Sequence, residues 1–516
     1  MKNPFDKQKI KRNKYILIYA LVMAIVYSVE MFVNKPWYDE LYTYYSFVSR
    51  GPVYAAIHWP VPNNHMGYSV LAAILNVFGN PYVGLRGVSV IASVANILLI
   101  YSFSRRFLRV ELATSVSVLY AGANLVHSLA FQGRGYSLAI TCYLSALICM
   151  YCICMNLARK RHYIIYALMM AYGLYILPSS VYWVLQICLV GGLYLVFCGK
   201  WKQLIKLVIA SLAAAVLAGI AYSMVWLAIG SNLLCKDPSS AYYGIYQLRI
   251  IAANPLLSLK TGMEYMLATP YIQSISKSDA VFGMPAYFKD LFDYFYNYCG
   301  ISMCLLYGVL AVFAVFHCVV AFGKKRNAMF AGIYIGISLI TTPIMLIIQS
   351  VHPYKRVLSF FMVPLAFATM YGISLACHYR VSAKQAERGA RLTLILVVIV
   401  CGGLLALPSY RTPLAGREND IEDVLKQIDV ADIDSIYYMD DYQKYVLKFY
   451  HDAEPIEATL EDAEYVLVPC EVKTDDYEAA EWPILVSHKD ANMGYVEKYY
   501  EVIASSDKYD VCKRLQ

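Results

Sequence analysis

Asn34-Lys35-Pro36-Trp37-Tyr38-Asp39-Glu40-Leu41-Tyr42 is the stretch on which the reading of this chain turns. It follows directly on an apolar run, Tyr15 to Val33, and sets two adjacent carboxylates at the end of that run. Acid is scarce around it, because residues 1–415 hold 11 Asp and Glu against 34 Lys and Arg. Two carboxylates at the mouth of a first helix, in a chain this poor in acid, mark a candidate working site. The alternative is a pair of interfacial acids that keep a loop in water.

The surrounding chain is apolar, with 59% hydrophobic residues and a mean hydropathy of +0.49. A helix needs ~20 apolar residues to cross a bilayer, and runs of that length recur. The run from Tyr15 to Val33 is too long for a signal-peptide core and lacks a small-residue cleavage site, so it is expected to stay as the first helix. The formal charge of +8 hides a split, +23 over residues 1–415 and −15 over residues 416–516. In a membrane protein the basic excess belongs to orientation, which removes nucleic acid as a partner.

Basic clusters fall at 2–14, at Arg105-Arg106 with Arg109, at Arg159-Lys160-Arg161, at Lys200, Lys202 and Lys206, at Lys324-Lys325-Arg326, and from Arg380 to Arg391. If all six face the cytoplasm, each successive pair encloses two crossings. The apolar lengths predict eleven spans, near 15–33, 83–104, 111–131, 136–155, 163–178, 181–198, 207–229, 298–322, 328–350, 357–377 and 391–408. The N-terminus then lies inside and the C-terminus outside. Gly67 to Phe78 is too short to cross and reads as a helix in the outer interface, as does the Tyr-rich stretch Glu40–Ser49.

The predicted fold is thus a polytopic α-helical membrane protein of about eleven helices, with outer interfacial helices and a small C-terminal α/β domain. The domain reading is a basic cytoplasmic tail at 1–14 and a membrane domain at 15–408, with outer loops at 34–82 and 230–297. An acidic extracytoplasmic domain follows at 409–516. In that last part, helices are expected at Asp420–Ile428 and Tyr442–Tyr450, and strands at Ser435–Met439 and Tyr465–Val468. A closing hairpin is expected from Tyr499–Ala504 and Lys508–Lys513. Most of the 14 cysteines lie in apolar runs, Cys149, Cys152 and Cys154 among them, and read as small core residues. Cys470 and Cys512 are a candidate pair that spacing alone does not establish.

This topology gathers polar groups on the outer face. Asp39 and Glu40 follow the first span; Asn63, Asn64 and His65 precede the short apolar helix. Arg134 and Tyr136 lie in Gln132-Gly133-Arg134-Gly135-Tyr136, and Lys355 and Arg356 precede the tenth span. Acids and bases together at a membrane face suit sugar transfer from a polyprenyl phosphate. A phosphate leaving group needs positive charge rather than a general acid, which Arg or Lys supplies. The acceptor hydroxyl needs a base, and a carboxylate within reach is the usual one. Displacement from the face opposite the phosphate inverts the anomeric centre.

The chain also resembles the GT-C membrane glycosyltransferases, in the branch that holds protein O-mannosyltransferases and bacterial lipid A aminoarabinose transferases. The resemblance lies in a basic N-terminus, one helix, then Asp39-Glu40-Leu41-Tyr42-Thr43-Tyr44. Asn64-His65-Met66-Gly67-Tyr68 is similar to the family's short apolar segment but lacks its prolines. Leu85-Arg86 and Arg105-Arg106 bracket the next helix, and Gly133-Arg134-Gly135-Tyr136-Ser137-Leu138 follows. The likeness is good over 15–200, vague to 377, and absent from the tail. It implies Asp39 as catalytic base, Glu40 in support, and Arg134 with Lys355 or Arg356 on the donor phosphate. His65 and Tyr136 join as substrate-binding residues. No metal ligand is assigned, and a divalent cation stays open, since relatives differ on this point.

The expected partners are a polyprenyl-phosphate sugar in the bilayer and a glycan, lipid or protein acceptor. A multi-pass place in a bacterial plasma membrane fits both. The alternatives are a membrane transporter and an outer-face polysaccharide polymerase or ligase. A transporter is expected to carry ionisable residues near mid-membrane. A polymerase is expected to lean on late-loop arginines rather than on an acid after the first span.

Overall fold

Apolar runs with helical spacing become long helices because a backbone in hydrocarbon must satisfy its own hydrogen bonds. The computed structural model describes residues 7–58, 64–268, 274–321, 326–378, 382–407, 417–439, 441–469 and 493–515. It divides into two units, the first Met1–Phe32 with Arg50–Thr412, the second Val33–Ser49 with Pro413–Gln516.

In chain order the helices begin with α1 (Lys7–Val33), α2 (Tyr38–Ser46), α3 (Pro52–Ile57), α4 (Met66–Leu75) and α5 (Pro81–Ser104). There follow α6 (Val110–Gly122), α7 (Asn124–Phe131), α8 (Tyr136–Cys154), α9 (Lys160–Ile176), α10 (Val181–Phe197) and α11 (Trp201–Lys236). The next are α12 (Gln247–Ala253), α13 (Pro255–Ala268), α14 (Lys277–Phe282) and α15 (Met284–Phe295). Then come α16 (Gly300–Ala321), α17 (Arg326–Gln349), α18 (Met362–His378) and α19 (Ala383–Ala406).

Among the described residues, nine helices are long and apolar enough to cross a membrane, and the bent pair α6–α7 makes a tenth. The architecture is that of a multi-pass helical membrane protein. Helices stand at all eleven predicted positions, with two differences. The run 111–131 is broken at Ala123, where the two halves meet at 73°. The helix at 163–178 is α9, whose 17 residues rise about 26 Å, slightly less than a ~30 Å hydrocarbon core. The short apolar segment is α4 with a 3₁₀ turn at Asn76–Phe78, as its length predicted.

The segment 230–297, expected as an outer loop, is largely helical among its described residues. Two of its prolines start helices: Pro255 opens α13 and Pro285 sits in the first turn of α15, where a missing N–H costs nothing. Close approach of α11 and α13 depends on Gly230 and Gly262. A Cβ at Gly230 would meet the Ser258 carbonyl at 1.8 Å, and one at Gly262 the Trp226 carbonyl at 2.1 Å.

Inside the first unit, polar side chains pair across helices, as groups shielded from water must. Asn96 donates to the Ser137 carbonyl at 2.9 Å and accepts from Thr141 at 2.8 Å, tying α5 to the start of α8. The Tyr143 and Tyr334 hydroxyls lie 2.9 Å apart, and Gln186 donates to Thr342 at 2.7 Å. His127 packs between the rings of Tyr27 and Phe131, and Cys149, Cys152 and Cys154 are buried. Glu30, near the end of α1, is buried.

The second unit is built on a five-stranded sheet. Its elements are α20 (Arg417–Leu425), β1 (Ser435–Tyr437), α21 (Asp441–His451), β2 (Ile456–Glu457), β3 (Tyr465–Pro469), α22 (Met493–Tyr499), β4 (Tyr500–Ser505) and β5 (Tyr509–Arg514). The strand order is β2-β1-β3-β5-β4. β1 pairs in parallel with β2 and β3, and β5 pairs antiparallel with β3 and β4. The anticipated helices, strands and hairpin are present; β2 and α22 were not anticipated. Cys512 is buried in β5, whereas Cys470, its candidate partner, lies outside the described residues.

Candidate functional site

In the first unit, three separated stretches bring His65, Arg134, Tyr136 and Arg356 together, and Gly135 is what lets them meet. His65 precedes α4, while Arg134 and Gly135 form the link from α7 to α8, whose first residue is Tyr136. A Cβ on Gly135 would fall 2.6 Å from the Ile176 side chain and 3.2 Å from His65 Nδ1. Without one, the Gly135 N–H donates to His65 Nδ1 at 2.8 Å. Asn64, next to His65, donates to the carbonyls of Ala55 at 2.9 Å and His58 at 2.7 Å and accepts from Ser69 at 2.7 Å. Asn63 lies outside the described residues.

The tautomer of His65 follows from this geometry. A neutral imidazole carries one N–H, and Nδ1 is already an acceptor, so Nε2 holds the proton. Arg134 Nη2 lies 3.1 Å from that Nε2, and guanidinium nitrogens only donate. Two donors are therefore set side by side, an arrangement suited to an anionic oxygen that accepts from both. Burial, then the charges of Arg134 and Arg356, push the His65 pKa well below its ordinary value of 6.5. The ring stays neutral.

Arg356 completes the group. Its Nε donates to the Tyr136 hydroxyl at 3.0 Å, and the Tyr136 ring meets His65 edge-on at 5.1 Å. A void of about 10 Å³, room for one water, lies beside Tyr136 between Trp183 and Phe360. Lys355 faces elsewhere. Its ammonium is 3.6 Å from Asp290 and 4.7 Å from the centre of the Tyr287 ring, and the Tyr287 hydroxyl donates to the Pro353 carbonyl at 2.7 Å. Asp290 lies on α15, in the segment whose sequence reads as an outer loop, and no motif marks it. Arg86 is marked in the sequence only as part of a motif; it is buried and donates to the Met31 carbonyl at 2.8 Å, holding the end of α1.

Asp39 and Glu40 belong to the second unit, in the first turn of α2. Carboxylates there are favoured by the N-terminal end of the helix dipole. Glu40 accepts from the Trp37 N–H at 3.2 Å, and the Asp39 carbonyl accepts from the Thr43 hydroxyl at 2.7 Å. Both acids are buried. The Tyr-rich helix, expected in the lipid interface, is packed on protein. Tyr38 meets Tyr442 edge-on at 5.2 Å, Tyr45 stacks on Tyr445 at 5.4 Å, and Leu41 joins a core that includes Ile421, Val446 and Val511. Its tyrosines find aromatic partners on α21. Lys35 pairs with Glu422 at 3.4 Å, and the Tyr450 hydroxyl donates to the Pro36 carbonyl at 3.2 Å. Among the described residues, no three or more His, Cys, Asp or Glu side chains gather as a metal site.

No family model and no curated protein matches the chain by sequence. Solved structures do resemble it. Apo ArnT from Cupriavidus metallidurans is 11% identical with a TM-score of 0.60, over 97% of this chain and 98% of that one. The same protein bound to undecaprenyl phosphate gives 13% and 0.54, over 97% of each chain. The Archaeoglobus fulgidus oligosaccharyltransferase in complex with Zn and sulfate gives 12% and 0.50, over 93% of this chain and 71% of that one. At such identities the likeness is one of architecture, and with ArnT it runs almost end to end: the chain has the GT-C fold.

Proposed function

We propose that this chain is an inverting membrane glycosyltransferase, moving a sugar from a polyprenyl-phosphate donor to a glycan, lipid or protein acceptor on the outer face of a bacterial plasma membrane. The observation that carries this reading is the donor group of buried His65 Nε2–H and Arg134 with half-buried Arg356 beside them. It is an anion site on a GT-C scaffold, and ArnT, which shares the fold, has been crystallised with undecaprenyl phosphate.

In the proposed reaction Asp39 takes the proton of the acceptor hydroxyl, whose oxygen attacks the anomeric carbon from the face opposite the phosphate. The bond to the phosphate oxygen breaks, and polyprenyl phosphate departs with the electron pair as an anion stabilised by Arg134 and Arg356. Glu40 is a positioning residue in this scheme, its carboxylate fixing the start of the helix that carries Asp39. Arg356 rather than Lys355 is assigned to the phosphate, since Lys355 faces Asp290.

The test is turnover and binding with a panel of polyprenyl-phosphate sugars. Wild type is expected to release polyprenyl phosphate, and Arg134→Gln or Arg356→Gln to raise the donor KM roughly 10- to 100-fold, the range for losing a charge-assisted hydrogen bond. Failure of the wild type to bind any lipid-linked sugar would overturn the proposal and direct attention to transport assays.

A further inference from the structure

At the opposite end of α8 from Tyr136, roughly 27 Å away by helix rise, the starts of α9 and α11 diverge around a cleft of about 670 Å³. Farther along, the two helices are closed on each other: the Tyr166 hydroxyl lies 3.1 Å from that of Ser211, and the Tyr222 hydroxyl donates to the Leu174 carbonyl at 2.9 Å. The cleft has a divided lining. Arg159, Lys160 and Lys206, all exposed, form one end, while Ile164, Ile209 and Ala213 form an apolar wall running along the helices. Gln203 donates to Asn156 at 3.3 Å across the cationic end.

The charge there is uncompensated in sequence, since no Asp or Glu occurs between Glu111 and Asp237. Cations at a helix junction attract anions, but inorganic phosphate would leave the apolar wall unused. A neutral lipid would leave three cations unused. Ile164 and Ile209 are exposed on the flank of the bundle, so a lipid of the surrounding bilayer reaches the cleft sideways.

From this pairing of three cations with an apolar wall, we infer a binding site for an anionic two-chain phospholipid, its phosphate on Arg159, Lys160 and Lys206 and an acyl chain between α9 and α11. Basic pockets between membrane helices are a recurrent setting for such headgroups. This site is separate from the proposed sugar-transfer chemistry and stands without it.

The probe is native mass spectrometry of the full-length chain, delipidated in detergent and offered phosphatidylglycerol, phosphatidylcholine, polyprenyl phosphate or inorganic phosphate. Wild type is expected to hold one phosphatidylglycerol at least ~10-fold more tightly than phosphatidylcholine. Each cation contributes about fivefold, so the triple variant Arg159→Gln, Lys160→Gln, Lys206→Gln is expected to lose that preference, whereas Lys236→Gln, at the far end of α11, keeps it. Ile209→Trp leaves the cations in place and fills the cleft, and is expected to lower phosphatidylglycerol occupancy as well. Monodispersity on gel filtration checks the fold of each variant. Equal binding of the two phospholipids by wild type, unchanged phosphatidylglycerol binding in both cleft variants, or displacement by polyprenyl phosphate or inorganic phosphate at equal concentration would overturn the inference.

Discussion

His65 shows how one backbone N–H can set the chemistry of a side chain. Because Gly135 donates to Nδ1, the ring is a neutral donor through Nε2 and suited to hold an anion rather than to shuttle protons. Its depressed pKa has a consequence for stability. The unfolded chain takes up a proton as pH falls below 6.5, while the folded ring stays neutral, so unfolding binds a proton in that range. Stability from this residue is therefore complete above pH 6.5 and declines as pH falls from there toward the folded pKa. His65→Asn keeps an acceptor for the Gly135 N–H but does not titrate. Thermal unfolding in detergent from pH 8 to 5 is expected to fall less steeply for His65→Asn than for wild type. Parallel curves would contradict the neutral state of the folded ring. None of this was visible in sequence. Two separate motifs mark His65 and Arg134 as candidate substrate-binding residues, but the tautomer depends on where Gly135 points its N–H.

The element that most changed meaning is α2. Its tyrosines read as membrane anchors because composition reports only that a face is aromatic, not which surface covers it. The covering surface is α21, about 400 residues later, and no spacing rule links segments so far apart. The long apolar helices were legible, since length and hydropathy alone decide them. The bend at Ala123 was not, because no Pro or charge marks it. The packing of α2 makes the helix bearing Asp39 dependent on Tyr442, which is buried against Tyr38. Tyr442→Ala is expected to destabilise the second unit by ~3–5 kcal/mol, the range for truncating a buried aromatic side chain. Limited proteolysis is the readout, with faster cleavage between Arg417 and Arg514. Wild-type protease resistance would show that α2 and α21 do not depend on each other for stability.

At the scale of the molecule, the number of crossings decides where the acidic unit works. Among the described residues, nine long helices and the bent pair would give ten crossings, and an even number would leave both termini on one side. Counting α9 gives eleven and separates them, in accord with the basic clusters. A helix of 17 residues crosses if the bilayer thins slightly around it. Alkaline phosphatase fused after Gln516 is therefore expected to be active in a bacterial host, and a fluorescent protein fused there to be dark. The opposite pattern would return α9 to one side of the membrane and place the acidic unit in the cytoplasm.

The most direct measurement compares wild type with Asp39→Asn in detergent, following both donor binding and release of polyprenyl phosphate from lipid-linked sugars. Asparagine keeps the size of the side chain and removes its basicity. The variant is expected to bind donor within a few-fold of wild type and to turn over at least ~100-fold more slowly, the low end for loss of a general base. Equal turnover of the two proteins would contradict the role of Asp39.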